Sequence, residues 1–418
     1  MDNSAQIFAG LIIIGEEILI GQVTDTNSGW IARRLNEIGI RIGSIHTVSD
    51  ESNAILDVLE KTLESSSIIL MTGGLGPTKD DITKKTLCDF FNCQLVQDAD
   101  SLENIRRIFS ERNLQITPIN EAQANVPEVC KTLLNLNGTA PGMWFDYDDK
   151  IIVSMPGVPY EMKGIMESHV IPGLKQKFLL PPVIHETILT QGIGESWLSD
   201  RIEEWELKLP SHIRLAYLPS PGLVRLRLSA FGKSESQLRA EMNNHVHELE
   251  KLISPFIYGR NDDRLESVAG RLLKDNSKSL SVAESCTGGE LSHKITSVAG
   301  CSDYFIGSVI AYSNHVKVAE LGVKKSSIEK YGAVSEIVAK EMASGIRKKF
   351  NSDYAIATTG VAGPGGGTSD KPVGTVWIAV EGPERVESKM FQLGVSRERN
   401  ILEACQNALH MLIKMIRN

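Results

Sequence analysis

Apolar residues at the start of the chain follow the pattern of buried strands separated by amphipathic helices. Residues 7–14 form an almost unbroken apolar run, and 41–48 and 67–71 are further strand-like segments. Between these segments, apolar side chains recur every three or four residues over 27–38 and 55–63, which is the spacing of one helix face. Strands and helices alternating in this order predict an α/β fold with a parallel or mixed sheet and right-handed crossovers.

The middle of the chain shows a different pattern. We predict a strand at 183–190 and a helix at 196–207. Over 223–230, the apolar residues Val224, Leu226 and Leu228 alternate with polar ones, as expected of a half-buried antiparallel strand. With a further helix at 236–253, this segment is predicted to be a small α+β module.

Helices and strands alternate again after Gly259. The apolar spacing predicts helices at 265–274, 290–298, 336–350 and 399–416, and strands at 280–282, 308–311, 354–358 and 374–380. We therefore predict a second α/β domain in the last part of the chain.

Composition narrows the classes of function. A length of 418 residues exceeds one typical hydrophobic core and suits two or three domains. With 44 Lys and Arg residues against 52 Asp and Glu, the formal net charge is −8, which disfavours nucleic-acid binding. The six cysteines include no Cys-x-x-Cys pair, and no apolar run is long enough to cross a membrane. We expect a cytoplasmic protein without a secretory leader, a zinc site or membrane contact.

Candidate chemistry lies where the strand at 280–282 turns into the next helix. Ser285 occupies this turn, and Lys317 follows 32 residues later at the start of another predicted helix. Serine needs a base to act as a nucleophile, and a lysine can be that base only where burial or a nearby cation lowers its pKa. Backbone N–H groups at the helix start can then hold an oxyanion. Two alternatives stay open: the turn only caps the helix, or the adjacent Cys286 is the nucleophile.

Two glycine-rich loops can bring backbone amides against a phosphate, one at 358–367 and one at 72–81. The second follows the third predicted strand, where ligands of open α/β sheets gather. In this loop Lys79 adds a positive charge, and Asp80 and Asp81 offer oxygen ligands for a divalent metal. The alternative is a plain glycine turn in which Asp80 or Asp81 caps the next helix.

Several motifs together resemble those of the CinA family, and the resemblance covers nearly the whole chain. The most specific are AESCTGG at 283–289, YSNHVK at 312–317, GAVSE at 332–336, TTGVAGPGGG at 358–367 and KPVGTVW at 371–377. The C-terminal domain of this family is a nicotinamide mononucleotide (NMN) deamidase. The resemblance implies that Ser285 attacks the carboxamide carbon of NMN, that Lys317 is the general base and that no cofactor takes part. The substrate-binding residues it implies are Glu284, Thr287, Gly288, Gly289, Tyr312, Thr359, Gly360, Gly363, Gly365 and Arg397.

The first part of the chain resembles the molybdopterin-binding domain that the CinA family shares with molybdenum-cofactor enzymes. The motifs that carry this resemblance are NGTAPGM at 137–143 and MPGVPYEM at 155–162. In the CinA family this domain is associated with metal-dependent hydrolysis of ADP-ribose. The resemblance implies that Asp81 acts in catalysis and, with Glu161, holds a divalent metal ion. The nucleotide contacts it implies are Asp25, Asn27, Gly73, Gly74, Gly76 and Thr78.

The resemblance also implies three domains: a pyrophosphatase domain at 1–172, a KH-like linking domain at 173–258 and a deamidase domain at 259–418. We expect a homodimeric hydrolase of pyridine-nucleotide salvage that acts on NMN and ADP-ribose. The segment 191–195 is short and acidic, so the KH-like module is not expected to bind nucleic acid. Two other functions stay open: a pterin- or nucleotide-binding protein without N-terminal catalysis, and an interaction protein in DNA uptake or recombination.

Overall fold

The computed structural model describes residues 7–78, 81–232 and 234–418. The chain forms two compact units, one made of Met1–Ile184 and Phe231–Leu238 and the other of His185–Ala230 and Arg239–Asn418. Most of the middle segment therefore belongs to the same unit as the C-terminal part.

The elements up to residue 177 build the first unit around one large sheet. In chain order they are β1 (Phe8–Ile14), α1 (Glu16–Leu19), α2 (Asn27–Glu37), β2 (Arg41–Val48), α3 (Ser52–Ser65), β3 (Ile68–Thr72), α4 (Thr83–Phe91), β4 (Leu95–Gln97), α5 (Ala99–Glu111), α6 (Pro118–Ala122), β5 (Asn125–Pro127), β6 (Lys131–Leu133), β7 (Gly142–Tyr147), β8 (Lys150–Met155), α7 (Pro159–Ile165), a π-helical turn (Met166–Val170) and α8 (Ile171–Lys177). Six strands pair in the order β2-β1-β3-β8-β7-β6, while β4 pairs with β5. The strand pairs β2–β1, β1–β3 and β3–β8 are parallel. The pairs β8–β7 and β7–β6 are antiparallel, so the sheet is mixed.

Helices cover both faces of this sheet, which explains why β1 is apolar at nearly every position. Leu11 and Ile13 pack with residues of α2, α7 and α8 on one face. Ile12 and Ile14 pack with residues of α3 and α4 on the other face. The α/β fold predicted from the run at 7–14 is confirmed.

The remaining elements form two further sheets. In chain order they are β9 (Val183–Gln191), α9 (Glu195–Glu206), β10 (Ile213–Ser220), β11 (Leu223–Phe231), α10 (Glu235–Ile253), a 3₁₀ turn (Ser254–Phe256), β12 (Ile257–Arg260), α11 (Leu265–Asp275), β13 (Leu280–Glu284), α12 (Glu290–Thr296), a 3₁₀ turn (Cys301–Asp303), β14 (Phe305–Ile310), α13 (Asn314–Leu321), α14 (Lys325–Tyr331), α15 (Glu336–Phe350), β15 (Tyr354–Gly360), β16 (Thr375–Glu381), β17 (Val386–Gln392) and α16 (Arg397–Arg417). One sheet has the order β10-β11-β9-β12 and the other β14-β13-β15-β16-β17. In the five-stranded sheet β14, β13 and β15 are parallel, and β16 and β17 are antiparallel.

The predicted alternation at 223–230 is confirmed in β11, where Val224, Leu226 and Leu228 are buried. The strand predicted at 280–282 is longer, because Glu284 still pairs with Ile310 and Thr358 in the neighbouring strands. The strand predicted at 308–311 begins and ends earlier, at Phe305–Ile310, which leaves residue 311 beyond its end. Because β13 ends at Glu284, the next residue, Ser285, lies directly at the carboxyl edge of the sheet.

No helix in the described part of the chain is both long enough and apolar enough to cross a membrane.

Candidate active sites

Ser285 lies in a tight turn between β13 and α12. Its main-chain N–H donates to the carbonyl oxygen of Thr358 in β15, at 3.0 Å. The turn continues through Gly288 and Gly289, whose φ angles of 62° and 106° are accessible to glycine without steric cost. These two glycines therefore shape the turn that carries the serine.

The neighbouring Glu284 is fully buried, with 0% of its surface exposed. Its carboxylate accepts hydrogen bonds from the main-chain N–H groups of Gly289 (2.9 Å), Leu291 (3.1 Å) and Ser292 (2.8 Å) and from the hydroxyls of Thr287 (2.7 Å) and Ser292. The carboxylate faces the first turn of α12 rather than open space. The resemblance implies substrate binding by Glu284, but in this arrangement the side chain holds the turn.

Lys317 reaches the serine from α13, a helix that Ser313 caps through a hydrogen bond to the N–H of Val316. The Lys317 side chain is 1% exposed, and its Nζ lies 2.9 Å from Oγ of Ser285. Nζ also contacts the carbonyl oxygens of Ala311 (2.8 Å) and Tyr312 (3.2 Å). Burial lowers the pKa of Lys317 below its ordinary value of 10.5, because the charged amine is removed from water.

The three oxygen contacts of Lys317 match an ammonium that donates to all three, and they also match a neutral amine. A neutral amine has two hydrogens and one lone pair, and a carbonyl oxygen can only accept. When the carbonyls of Ala311 and Tyr312 take the two hydrogens, the lone pair faces Ser285. The serine hydroxyl then donates to Nζ, which is the arrangement that general-base catalysis requires.

Two main-chain N–H groups next to the serine remain available. Among the described residues, no other residue accepts a hydrogen bond from the N–H of Cys286 or of Thr287. The following amides are used, since Gly288 donates to the carbonyl oxygen of Ser285 and Gly289 donates to Glu284. An oxyanion bound at this turn could therefore accept from the N–H groups of Cys286 and Thr287, but not from those of Gly288 and Gly289.

Cys286, the alternative nucleophile, lies in an unsuitable environment. The residue is 6% exposed, and burial raises the pKa of its thiol to about 12. A thiol with that pKa stays protonated near neutral pH, and the thiolate is the reactive form. The geometry favours Ser285.

Other expected substrate residues lie beside the serine and lysine. Arg397, at the start of α16, donates to the carbonyl oxygen of Gly363 (2.8 Å) and to the hydroxyl of Tyr312 (3.2 Å). The main-chain carbonyl of Tyr312 is one of the two that contact Lys317, so this tyrosine connects the arginine to the lysine. Tyr312 is 60% exposed, which leaves its ring accessible to a substrate.

Three expected substrate residues have different surroundings. Thr359 is 1% exposed and donates its hydroxyl to the carbonyl oxygen of Ala333, at 2.9 Å. A Cβ on Gly360 would lie 2.7 Å from the carbonyl oxygen of Thr375, so glycine permits β15 and β16 to approach closely. A Cβ on Gly365 would meet no other atom within 4 Å, which leaves that part of the loop open.

A separate cavity of about 510 Å³ occupies the first unit, at the carboxyl ends of β1, β3 and β8. The expected site residues that line it are Asp25, Asn27, Gly73, Gly74, Gly76, Asp81 and Glu161. Gly73 has a φ of 115°, and a Cβ there would lie 2.0 Å from the carbonyl oxygen of Ile14. Thr78 contacts Asp81 through its main-chain N–H and its hydroxyl. Lys79 and Asp80 lie outside the described residues.

Asn27 lines this cavity and carries a buried side-chain oxygen. Its Nδ2 donates to the carbonyl oxygen of Gly157 (2.7 Å) and to the hydroxyl oxygen of Thr72 (3.2 Å), which fixes the orientation of the amide. Its Oδ1 is buried and, within the described chain, has no hydrogen-bond partner. Buried acceptors are normally satisfied, so this unpartnered oxygen is an exception beside the cavity. Asp25 caps the same helix by accepting from the N–H groups of Asn27 and Ser28.

Two carboxylates that could hold a divalent ion, those of Asp81 and Glu161, line the cavity. Glu161 accepts from Nδ2 of Asn135 at 2.6 Å, and burial raises the pKa of its carboxyl. Asp81 accepts from the N–H of Thr78 at 2.8 Å. Across the residues that the structure describes, no three His, Cys, Asp or Glu side chains group closely enough to hold a metal by themselves. Two carboxylates fit an ion such as Mg²⁺, which keeps several waters and binds substrate phosphates.

Two parts of the C-terminal site were not predicted from the sequence. The first is the pair of carbonyls from Ala311 and Tyr312 that contact Lys317. The second is Thr358, whose carbonyl binds the N–H of Ser285 and whose hydroxyl lies 2.8 Å from that of Thr287. The available signal was positional, because parallel strands end at one edge of a sheet and their following residues meet there.

Three models of known protein families match successive parts of the chain. A family model described as "Probable molybdopterin binding domain" matches residues 10–176, "Damage-inducible protein CinA KH domain" matches 185–259, and "CinA C-terminal domain" matches 262–416. A "CinA-like protein" of Flavobacterium psychrophilum is 47% identical over 410 residues, which cover 98% of each chain. Another, from Cytophaga hutchinsonii, is 44% identical over 414 residues and 99% of each chain. A solved structure of competence/damage inducible protein CihA from Agrobacterium tumefaciens is 34% identical, covers 37% of this chain and 96% of its own, and has a TM-score of 0.36.

Proposed function

The chain belongs to the CinA family, and from that premise we propose that its C-terminal part hydrolyses the carboxamide of NMN to nicotinate mononucleotide and ammonia. One observation carries the proposal: the buried amine of Lys317 lies 2.9 Å from the hydroxyl oxygen of Ser285. A serine, a buried amine whose pKa is lowered by burial and two main-chain N–H groups would together form the machinery of acyl transfer. The family resemblance supplies NMN as the substrate.

In the first step, the Ser285 hydroxyl gives its proton to Nζ of Lys317 while its oxygen bonds to the carboxamide carbon. The carboxamide oxygen becomes an oxyanion, and the N–H groups of Cys286 and Thr287, which bond to no other described residue, would be its donors. Lys317 is now an ammonium. Its contacts with the carbonyls of Ala311 and Tyr312 stabilise the charge that the step creates.

In the second step, the C–N bond breaks and the Lys317 ammonium gives its proton to the departing nitrogen, which leaves as ammonia. The substrate stays attached to Ser285 as an ester. Water then attacks this ester and passes a proton to the neutral Lys317. When the ester bond breaks, Ser285 recovers its proton and nicotinate mononucleotide is released.

Arg397 and the loop at 358–367 are assigned to the phosphate of NMN. Arg397 is fixed by its contact with Gly363, so its positive charge has a defined place beside the loop. Glycines let backbone amides approach a phosphate closely. The phosphate and the carboxamide would then be bound at opposite ends of one site.

Ammonia release from NMN by the purified chain tests this activity. We expect Ser285→Ala to reduce the rate by at least about 10³, the scale of losing a nucleophile whose activating base remains. The matched control is Ser297→Ala, an exposed serine just beyond the far end of α12, which should keep the parent rate. Equal ammonia release by Ser285→Ala and the parent would remove the assignment.

A second activity is supported by the glycine loop and the carboxylates around the first cavity. This activity is hydrolysis of ADP-ribose to AMP and ribose 5-phosphate. The glycines at 73, 74 and 76 would approach the diphosphate.

Asp81 and Glu161 are the residues that would hold the divalent ion. Bound there, the ion would withdraw charge from the diphosphate and lower the pKa of an attacking water. Glu161 suits this position because burial already disfavours its unpaired negative charge. Asp81 is held toward the cavity by Thr78.

AMP formation from ADP-ribose, with added Mg²⁺ and with a chelator, tests the second activity. We expect AMP only with the metal, and a loss of at least about 10² in Asp81→Asn. Asp89→Asn, an exposed aspartate on α4, is the matched control and should be unaffected. Tight binding of ADP-ribose without AMP would instead support a pterin- or nucleotide-binding protein.

A further inference from the structure

We propose that Glu284 is a positioning residue that sets the distance between Ser285 and Lys317 and keeps the two oxyanion N–H groups free. The proposal rests on the proposed amidase function, because it concerns the same serine and lysine. Glu284 acts through its neighbours and has no contact with a reacting atom.

The side chain of Glu284 holds the serine's half of the site. Its carboxylate takes three main-chain N–H groups and two hydroxyls from residues 287–292. A helix start otherwise offers several unpaired N–H donors, and a carboxylate is their strongest neutralising partner. Glu284 satisfies the donors of Gly289, Leu291 and Ser292, and main-chain carbonyls satisfy those of Gly288 and Glu290. Within the described chain, the N–H groups of Cys286 and Thr287 are the ones at this turn that remain for an oxyanion.

The main chain of the same residue holds the lysine's half. The carbonyl oxygen of Glu284 accepts from the N–H of Ala311 at 2.7 Å. The carbonyl oxygen of Ala311 then contacts Nζ of Lys317 at 2.8 Å. One residue therefore fixes the turn of Ser285 through its side chain and the acceptor of Lys317 through its backbone.

Thr287 extends this arrangement to the third strand of the site. Its hydroxyl lies 2.7 Å from the Glu284 carboxylate and 2.8 Å from the hydroxyl of Thr358. The carbonyl of Thr358 binds the N–H of Ser285. Ser285 is thus held by its own turn and by β15. A change at Glu284 should alter the contacts on both sides.

A positioning role and a substrate-binding role give different kinetics. A residue that contacts the substrate equally before and during the reaction changes KM and leaves kcat. A residue that only aligns the reacting groups changes kcat and leaves KM. The enclosure of Glu284, with 0% of its surface exposed, predicts the second outcome.

Glu284→Gln is the main test, because the amide has nearly the same shape but replaces one acceptor oxygen with a donor. Whichever oxygen is replaced, at least two hydrogen-bond donors lose their acceptor. We expect kcat for NMN to fall by about 100-fold, the scale of a misalignment of about 1 Å, with KM within about twofold. Glu290→Gln, at the first position of α12 and ion-paired with Lys294, is the matched control and should keep both constants.

A second variant keeps the test decisive. Ser292→Ala removes one hydroxyl donor, while the main-chain N–H of residue 292 still donates to the Glu284 carboxylate. This variant should therefore fold and lose about fivefold in kcat. If Glu284→Gln does not fold, an unchanged kcat in Ser292→Ala overturns the proposal. In the folded Glu284→Gln chain, an unchanged kcat or a raised KM at constant kcat overturns it directly.

The rate at which a fluorophosphonate labels Ser285 separates this proposal from the choice of substrate. If the parent is labelled at Ser285 but leaves NMN intact, the proposed substrate fails while the labelling rate still measures alignment. In that case a slower labelling rate in Glu284→Gln supports the proposal, and an equal rate refutes it. If Ser285 of the parent is not labelled, both proposals fall.

Discussion

Replacing Lys317 with methionine should lower the catalytic rate by about 10³ while changing stability little, which separates a catalytic amine from a structural ammonium. Methionine is unbranched and apolar, so it can follow the path of the lysine stem without the amine. The side chain of Lys317 is 1% exposed, and its amine has three oxygen neighbours. The expected effects on stability therefore oppose each other.

The loss comes from the carbonyls of Ala311 and Tyr312, which no longer have a donor. An unsatisfied buried polar group costs about 1–3 kcal/mol. The gain comes from removing an amine that burial disfavours, where each unit of lowered pKa corresponds to about 1.4 kcal/mol against the folded charged form. We expect the free energy of unfolding to stay within about 2 kcal/mol of the parent, whereas the loss of a general base should lower the rate by about 10³, or about 4 kcal/mol.

The lowered pKa of Lys317 also predicts how the stability of the parent changes with pH. The pKa of Lys317 is lowered by folding, so between the folded pKa and 10.5 the unfolded chain binds more protons than the folded one. Stability of the parent should therefore rise with pH across that window, and this contribution should be missing in Lys317→Met. Calorimetric unfolding at several pH values, with the exposed Lys325→Met as control, measures the difference. A variant that loses more than about 4 kcal/mol and keeps the same pH dependence would show that Lys317 is a structural ammonium.

One further substitution tests the serine site, and two test the first cavity. Cys286→Ala should keep most of the NMN rate, because burial raises the pKa of that thiol to about 12; a loss as large as that of Ser285→Ala would contradict the serine assignment. Asn27→Ala should raise KM for ADP-ribose by about tenfold and leave NMN hydrolysis unchanged, because it removes the amide that bonds to Gly157 and Thr72 at the cavity; an unchanged KM would mean that this amide does not shape the site. Gly73→Ala should lower stability by at least about 2 kcal/mol, because the added Cβ would lie 2.0 Å from a carbonyl oxygen at a positive φ; a chain as stable as the parent in calorimetry would refute this.

The fold could be predicted where burial leaves a periodic trace. The apolar run at 7–14 predicts β1 because both of its faces are covered, and the alternation at 223–230 predicts β11 because one face is exposed. The ends of β13 and β14 were less predictable. Pairing with Ile310 and Thr358 extends β13 to Glu284, and a polar residue at a strand end gives no periodic signal.

The candidate site was predictable in its residues and not in its contacts. Ser285 and Lys317 stand out by type and motif, but their separation depends on the register of three strands. The acceptors of Lys317 are main-chain carbonyls, which any residue could supply, so the sequence holds no trace of them. The free oxygen of Asn27 is likewise a tertiary feature. The bounds of the three domains, the homodimer and the cytoplasmic location stay predictions.

The pH dependence of kcat/KM for NMN tests most directly whether an uncharged Lys317 takes the proton of Ser285. We expect kcat/KM to rise with pH through a pKa below the 10.5 of an ordinary lysine, because deprotonation of the amine creates the base. The residual activity of Lys317→Met should lack this rise. A rate that is flat or falls over the same range, or a rise that persists in the variant, would contradict the account.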